Sequence, residues 1–371
     1  MPTYYPATIY GGPIWSVHSL CKELASQGHK VIVATTNLNG KKLLDVKTGV
    51  PNNIDGVEVY YFPVSYLKNI YFSKELKDFI KKEIINVDFL HIHSIFNWLG
   101  VISAKYAKKN GVPFCISTRG ALVRGNIEQK SKIIKILWLK LFDKKNLEKA
   151  EFIHVTSPQE KIDILNFNYK YKSVEIIPNG INQINLNSNL KLKNDIKRIL
   201  YLGRISWKKR INLILESMQY LDKYELVIAG NDDEQLQEKL IQFSRKLNIL
   251  NRVKFVGPIY GDEKFELLNS SDLLVLVSEN ENFGNVVLEA MICSTAVAVT
   301  EKVGISYYLK ANNTGFILPE NSKEIANSIK KIFSDETNLK HNIKRGFNMA
   351  NNLFAWKKIS SDFESKYLKY I

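Results

Sequence analysis

Residues 278–296 read S-E-N-E-N-F-G-N-V-V-L-E-A-M-I-C-S-T-A, and the apolar run 273–277 leads straight into them. That run has the character of a buried strand, Glu279 and Glu281 fall in the loop after it, and Phe283, Gly284 and Asn285 open a helix with Glu289 about one turn inside. A strand-to-helix turn presents unpaired backbone N–H groups and the positive end of a helix dipole, which suits an anion such as phosphate. Carboxylates repel the phosphate itself but accept hydrogen bonds from hydroxyls on either side of it. Phosphate flanked by hydroxyls is the chemistry of a sugar nucleotide. Arg204 and Lys209 follow Gly203 at the carboxyl end of a second apolar run, 198–202. Two cations fixed there would neutralise a diphosphate leaving group, the alternative being a solvated basic turn.

Other polar groups fall at strand ends: Gly11 and Gly12, His93 and Ser94, Arg119 and Gly120, Ser157, Gly230 and Asn231, Gly257 and Pro258. Each has a plainer role available, as a turn or as a satisfied strand-end side chain. Gly11 and Gly12 would let backbone N–H groups approach a phosphate or sugar, and His93 would donate a hydrogen bond to the sugar. His91 and His93 share a strand face, but no Cys, Asp or Glu completes a metal set beside them. Asp232 and Asp233 lie in a loop that opens a helix and lack a third ligand, so no metal site is expected.

Short apolar runs alternating with longer amphipathic ones position these groups, the pattern of parallel sheets with crossover helices. Ile14, Val17, Leu20, Cys21 and Leu24 have helical spacing, with Gly28 as the stop. Strands are expected at 30–35, 88–91, 112–117 and 152–156. After a turn at 176–180 and an Asn-rich linker at 182–194, a second series follows, with strands at 198–202, 225–229, 252–256, 272–277 and 295–299 and helices at 212–220 and 234–247. The fold class is therefore α/β, with two doubly wound Rossmann-like domains facing each other across a cleft. Residues 1–180 form the acceptor-side domain, 181–350 the nucleotide-sugar domain, and 351–371 a final helix crossing back to the first. In this order the first strand is central, yet only about ten residues precede Gly11 and Gly12. The expectation is that the first strand is missing and that the chain starts late by roughly half a dozen apolar residues.

The 371 residues carry 52 Lys and Arg against 37 Asp and Glu. Residues 119–149 are the densest basic block, with nine basic and three acidic residues. At its centre, 130–142, apolar rows at 133, 137, 141 and at 134, 138, 142 are flanked by lysines. This is either a core helix with a solvated lysine face or a surface that leans on anionic lipid or a lipid-phosphate acceptor. No nucleic-acid recognition motif accompanies the charge. Three widely spaced cysteines in apolar settings read as buried thiols. No signal peptide is evident and no apolar run is long enough to span a bilayer. A cytoplasmic protein with peripheral contact at the inner face of the membrane is expected.

Taken together these residues resemble the family 4 glycosyltransferases, retaining enzymes of the GT-B fold, and the S-T-R-G-A-L setting of Arg119 resembles a bacterial surface-polysaccharide subgroup. The resemblance rests on the two glutamates 281 and 289 within S-x-x-E-x-F-G-x-x-x-L-E-A-M, on G-R-I-S-W-K-K with Arg204 and Lys209, on the Gly11-Gly12-Pro13 loop, on I-P-N-G-I, and on H-I-H at 91–93. It implies that Glu289 binds ribose hydroxyls, that Glu281 holds hydroxyls of the donor sugar, and that Arg204 and Lys209 bind the diphosphate. Gly203, Phe283, Gly284 and Asn285 would support sugar and phosphate, and Gly257 would line the base. Gly11 and Gly12 would approach the donor from the other domain. The sugar-facing contact stays open between His93 and Arg119. No metal or other cofactor is implied, since the cations take its place. The implied partners are a nucleotide diphosphate sugar and a glycan or lipid-linked acceptor of surface polysaccharide, such as lipopolysaccharide or capsule. A sugar-nucleotide epimerase of similar fold and a non-catalytic basic module remain as rivals. The chain departs from the family in three places. Arg210 and Ser294 stand where glycine is frequent, and Arg119 where histidine is.

Overall fold

The computed structural model describes residues 1–64, 67–123, 125, 127, 131–184 and 196–371. Residues 185–194 of the expected linker, and Arg124 and Lys130 of the basic block, lie outside the described residues. The chain divides into two compact units, Met1–Gly180 with Trp356–Ile371, and Ile181–Ala355. The second unit is an insertion whose ends meet: Ile181 pairs with Ala355, and the Ile181 N–H donates to the Phe354 carbonyl at 2.7 Å.

The second unit holds one six-stranded sheet in the spatial order Val253–Gly257, Tyr224–Ala229, Lys197–Leu202, Leu273–Leu276, Ala296–Thr300, Phe316–Leu318. Every pair is parallel. The first strand in sequence is central, and the order reverses between it and Leu273–Leu276. That reversal marks the ligand crevice of a doubly wound sheet. Strands of this kind are buried on both faces and read as continuous apolar runs, and Leu273, Leu274, Val275 and Leu276 are all buried.

The first unit is built differently. Ile32–Thr36, Val57–Phe62 and Asn52–Ile54 form one three-stranded sheet, and Leu90–His93, Phe114–Ser117, Phe152–Val155 and Val174–Ile176 form a separate parallel sheet of four. No strand joins Ile32–Thr36 to Leu90–His93 among the described residues. The helix Gly12–Ser26 buries Ile14, Val17, Leu20, Cys21 and Leu24, the positions expected from their spacing. The closing helix Trp356–Leu368 packs on it through Trp356, Ile359 and Phe363.

The core-helix reading of residues 130–142 is corrected. Lys132–Trp138 is helical and continues through a wider π turn, Leu139–Asp143, which shifts the register of the apolar rows. Ile133 is 81% exposed and Ile134 67%, with Leu137 and Leu141 also outside, while Leu139 alone of this run turns fully into the core.

Candidate functional site

At the carboxyl end of the central strand of the second unit, the loops after Leu202 and Ala229 touch backbone to backbone. Gly230 has φ 148°, and a Cβ there would lie 1.8 Å from the Gly203 carbonyl oxygen. This close approach fixes the path of the turn that carries Arg204 and Lys209. The Gly257 carbonyl accepts the Gly230 N–H at 2.8 Å, so three strand ends are tied in sequence.

The acidic loop is clamped from both sides. The Glu279 N–H donates to the Lys208 carbonyl at 2.7 Å, the Glu281 N–H to the Lys302 carbonyl at 3.1 Å, and the Gly304 N–H back to the Glu281 carbonyl at 2.8 Å. Phe283 departs from the expected donor contact. Its ring is buried against Tyr308 and Phe354, so it anchors the loop in the core instead. Gly284, at φ 95°, turns the chain into the helix Asn285–Ile292, which no side chain caps. Its first N–H groups and dipole end therefore face the loop.

Lys209 and Glu281 are in direct contact through Nζ and Oε2. Burial, reinforced by the like charges of Arg204 and Lys208, pushes the Lys209 ammonium down to about 8, while the Glu281 carboxylate opposes that shift. Arg204 is exposed, and its guanidinium has no ion-pair partner among the described residues. Glu289, one helical turn beyond Asn285, meets Lys264 of the helix Gly261–Asn269 at 2.8 Å. Each glutamate of the pair is thus matched by a lysine. Lys264 escaped the sequence reading because 25 residues separate it from Glu289. Asp232 accepts the N–H groups of Leu236 and Gln237 at 2.8 and 2.9 Å, which ties its loop to the start of the helix Gln237–Lys246.

Two departures from the family pattern have a structural account. Arg210 (φ 51°) and Ser294 (φ 56°) adopt the left-handed conformation that glycine accepts without strain. Arg210 is held by Glu320 at 2.8 Å and Glu279 at 3.4 Å, and Lys302 bridges the same two carboxylates at 3.0 and 3.2 Å.

In the first unit His93 is buried at the end of its strand. Burial, with His91 and Arg119 nearby, lowers its pKa well below the ordinary value and keeps it neutral. Arg119 Nη2 lies 3.3 Å from His93 Nδ1, and Nη1 lies 3.0 Å from Asn179 Oδ1 and 3.4 Å from Ser16 Oγ. A guanidinium only donates, so His93 Nδ1 accepts and the ring proton sits on Nε2. The arrangement leaves His93 Nε2–H able to donate, with Arg119 setting the tautomer. Burial lowers Arg119 itself to about 10, which leaves it charged at neutral pH. Gly11 (φ 76°) caps the helix Gly12–Ser26 without a side-chain bond, and Gly12 opens it.

Two supports were not visible in the sequence. Glu160, buried, accepts Thr118 Oγ1 at 2.9 Å, the Gly120 N–H at 2.7 Å and the Thr156 N–H at 2.8 Å, and so braces the loop that carries Arg119. A relay of buried and half-buried groups lies behind His93. His154 Nε2 donates to the Ile177 carbonyl at 2.8 Å, so its Nδ1 accepts from Ser117 Oγ at 2.6 Å. Ser117 Oγ in turn accepts from His91 Nε2 at 2.6 Å, and His91 Nδ1 accepts from the Tyr367 hydroxyl at 2.7 Å. The His91 ring stacks on His93 with centroids 3.9 Å apart.

Residues 10–183 match the family model described as Glycosyltransferase Family 4, and residues 182–349 match the model for Glycosyl transferases group 1. An uncharacterized glycosyltransferase of Methanocaldococcus jannaschii is 26% identical, with 98% of this chain and 95% of that protein covered. Among solved structures, sucrose-phosphate synthase from Thermosynechococcus elongatus superimposes with a TM-score of 0.77 at 23% identity, covering 97% of this chain and 93% of that one. Anabaena HepE in complex with UDP-glucose superimposes with a TM-score of 0.74 at 16% identity, covering 100% and 98%.

Proposed function

The chain belongs to the family 4 glycosyltransferases of the GT-B fold, and on that premise we propose that it moves one sugar, with retained anomeric configuration, from a nucleoside diphosphate sugar to a glycan or lipid-linked acceptor of a cell-surface polysaccharide. The epimerase and basic-module readings are not favoured, because both matched family models are those of glycosyltransferases. One observation carries the proposal: Lys209 and Glu281 meet beside Arg204 at the point where the strand order of the second unit reverses. A diphosphate arriving there draws the Lys209 ammonium to itself and frees Glu281 to accept sugar hydroxyls. Arg204 and the N-terminal dipole end of Asn285–Ile292 add positive charge, and Glu289 takes the ribose hydroxyls. Gly203, Gly257, Gly284 and Asn285 supply backbone around the phosphate, sugar and base.

In the reaction the bond from the anomeric carbon to the diphosphate oxygen breaks as the acceptor oxygen bonds to the same face of that carbon. The departing diphosphate takes the acceptor proton. Lys209, Arg204 and the helix terminus stabilise the charge that accumulates on it, and no residue needs to act as a covalent nucleophile. His93 donates from Nε2 to a sugar hydroxyl, oriented by Arg119, and Gly11 and Gly12 offer backbone N–H groups on the same side. Calorimetric titration with UDP, GDP and UDP-glucose tests the reading. Binding of at least one, lost in Lys209→Ala, is expected. A protein that binds none of the nucleoside diphosphates overturns it.

The acceptor side of the proposal includes an anionic membrane surface. Support comes from the exposed Ile133, Ile134, Leu137 and Leu141 set among Lys132, Lys135 and Lys140, the apolar-and-basic combination that lies in a lipid headgroup layer. No helix of the described residues is long and apolar enough to cross a membrane, so the contact proposed is peripheral, at the cytoplasmic face. Sedimentation with phosphatidylglycerol vesicles but not with phosphatidylcholine vesicles is expected. Equal recovery with both removes this part.

A further inference from the structure

Asp143 is 4% exposed, and no ion pair among the described residues includes it. Burial pushes its carboxyl up to about 6, so at neutral pH it is mostly ionised inside the first unit. An enclosed carboxylate without a cation destabilises a fold unless nearby donors satisfy it. Asp143 caps nothing on the short helix Lys144–Lys149 that follows it, since its side chain makes no bond there. Its Oδ2 accepts instead from the Phe96 N–H, at 2.9 Å.

Phe96 lies three residues beyond His93, in a loop of unusual form. Ser94 has φ 72° and Phe96 φ 60°, so two non-glycine residues within three positions adopt the left-handed conformation. For a ring-bearing residue that conformation persists only where the surroundings over-determine it. The Ser94 N–H is held by the Ser117 carbonyl at 2.8 Å. Asn97 donates to the Ile95 carbonyl at 3.2 Å and accepts the Gly100 N–H at 2.7 Å, which starts the helix Trp98–Asn110. Asp143 supplies the hold on Phe96.

The π turn brings Asp143 to this loop. Leu139 and Asp143 stand at its two ends and are both buried, Leu139 in the cluster that includes Ile92 and Ile95. Between them Phe142 packs edge-on against Trp98, ring centroids 6.1 Å apart. One segment therefore grips the loop at Phe96 and again at the first residue of the next helix. The neighbouring strand end shows the same device. There buried Glu160 accepts the Gly120 N–H, in the loop that carries Arg119. His93 and Arg119, at the ends of the paired strands Leu90–His93 and Phe114–Ser117, thus each adjoin a loop held at its backbone by a buried carboxylate.

We propose that Asp143 is a positioning residue for sugar transfer: through the Phe96 N–H it fixes the loop after His93, and with it the direction in which His93 Nε2 donates. The inference rests on the glycosyltransferase reading and on the role given there to His93. Asp143 itself touches no substrate. His93 stays paired in its strand opposite Ser117, so loss of Asp143 frees the loop without dismantling the sheet.

A double-mutant cycle tests this, with turnover read as UDP released from UDP-glucose, or GDP from GDP-mannose if GDP is the nucleotide bound, per site counted by calorimetry. Asp143→Ala should lower kcat about 10-fold and leave the nucleoside diphosphate affinity unchanged. Asp143→Leu, which removes the acceptor while filling the space and burying no charge, should show the same loss, and it decides the matter if the alanine variant does not fold. Asp143→Asn, whose amide oxygen can accept the same N–H, should stay within about 2-fold of the parent. Leu139→Ala is the control: it removes a buried side chain from the same turn, leaves the Phe96 bond in place, and should lower stability but not kcat per bound site. In a His93→Ala background the Asp143 substitutions should have no further effect. Parental kcat in Asp143→Leu, an equal loss in Leu139→Ala or Asp143→Asn, or a loss that persists in full beside His93→Ala overturns the inference and leaves the assigned reaction standing. Parental turnover in His93→Ala removes the role of His93 from that reading, and this inference with it.

Discussion

The two α/β units solve the same architectural problem with different degrees of completion. In the second, Lys197–Leu202 lies between two parallel neighbours and its side chains anchor the largest apolar cluster of the molecule. In the first, the corresponding place is a cavity, and the buried residues break up into several smaller clusters. The central strand of a doubly wound sheet does more than add its own burial. It joins two halves into one core, and its carboxyl end fixes the loop on which the site is built. The charged site sits on the unit that has that strand, and the neutral histidine and its arginine sit on the one divided in two.

The largest expected effect sharpens this contrast. Lys209→Ala should lower kcat/KM about 1,000-fold, on the scale of losing a group that stabilises a leaving charge. His93→Ala should lower kcat about 100-fold, leaving the affinity for the nucleoside diphosphate unchanged. A weakened diphosphate affinity in His93→Ala, measured by calorimetry, would break the division of labour.

Stability comes next. Val227 lies in the strand beside Lys197–Leu202 and Val33 in a strand that borders the cavity, and both are buried. Val227→Ala, within a closed core, should cost about 2.5 kcal/mol, but Val33→Ala, beside an existing cavity, only about 1 kcal/mol. Urea unfolding reads both, and equal costs would mean that the opening is not felt by its walls.

The pH dependence follows from Lys209. Its pKa is lowered, and the protonated form binds the diphosphate. Hence kcat/KM for the donor should hold below pH 8 and fall as pH rises through about 8. Lys209→Arg should carry the plateau to higher pH, and an unmoved fall would assign the titration elsewhere. The smallest effect is local. Ser294→Gly relieves the left-handed backbone and should stabilise by about 1 kcal/mol, or about 2–4 °C in Tm.

Much of the second unit was legible because parallel strands buried on both faces leave uninterrupted apolar runs, and the turns after them carry glycines and charges. The pairing of Lys209 with Glu281 was implied by placing both loops at neighbouring strand ends. Lys264 and Glu160 were not legible. Each acts through contacts formed only when distant segments fold together, and a lone Lys or Glu on an amphipathic helix carries no local signal. The exposure of Ile133 and Leu137 was also beyond reach, because helical spacing tells which face is apolar but not whether anything covers it. Val57–Phe62 is a strand that the sequence analysis does not place, since Glu58 interrupts the apolar run of V-E-V-Y-Y-F.

The meeting of Ile181 with Ala355 has an evolutionary consequence. An insert that leaves and re-enters its host through one adjoining pair of backbone segments can be replaced whole, since closing the ends of a new insert demands little of the chain between them. On the proposed function, donor preference in such a lineage can be exchanged as a cassette without rebuilding the host unit.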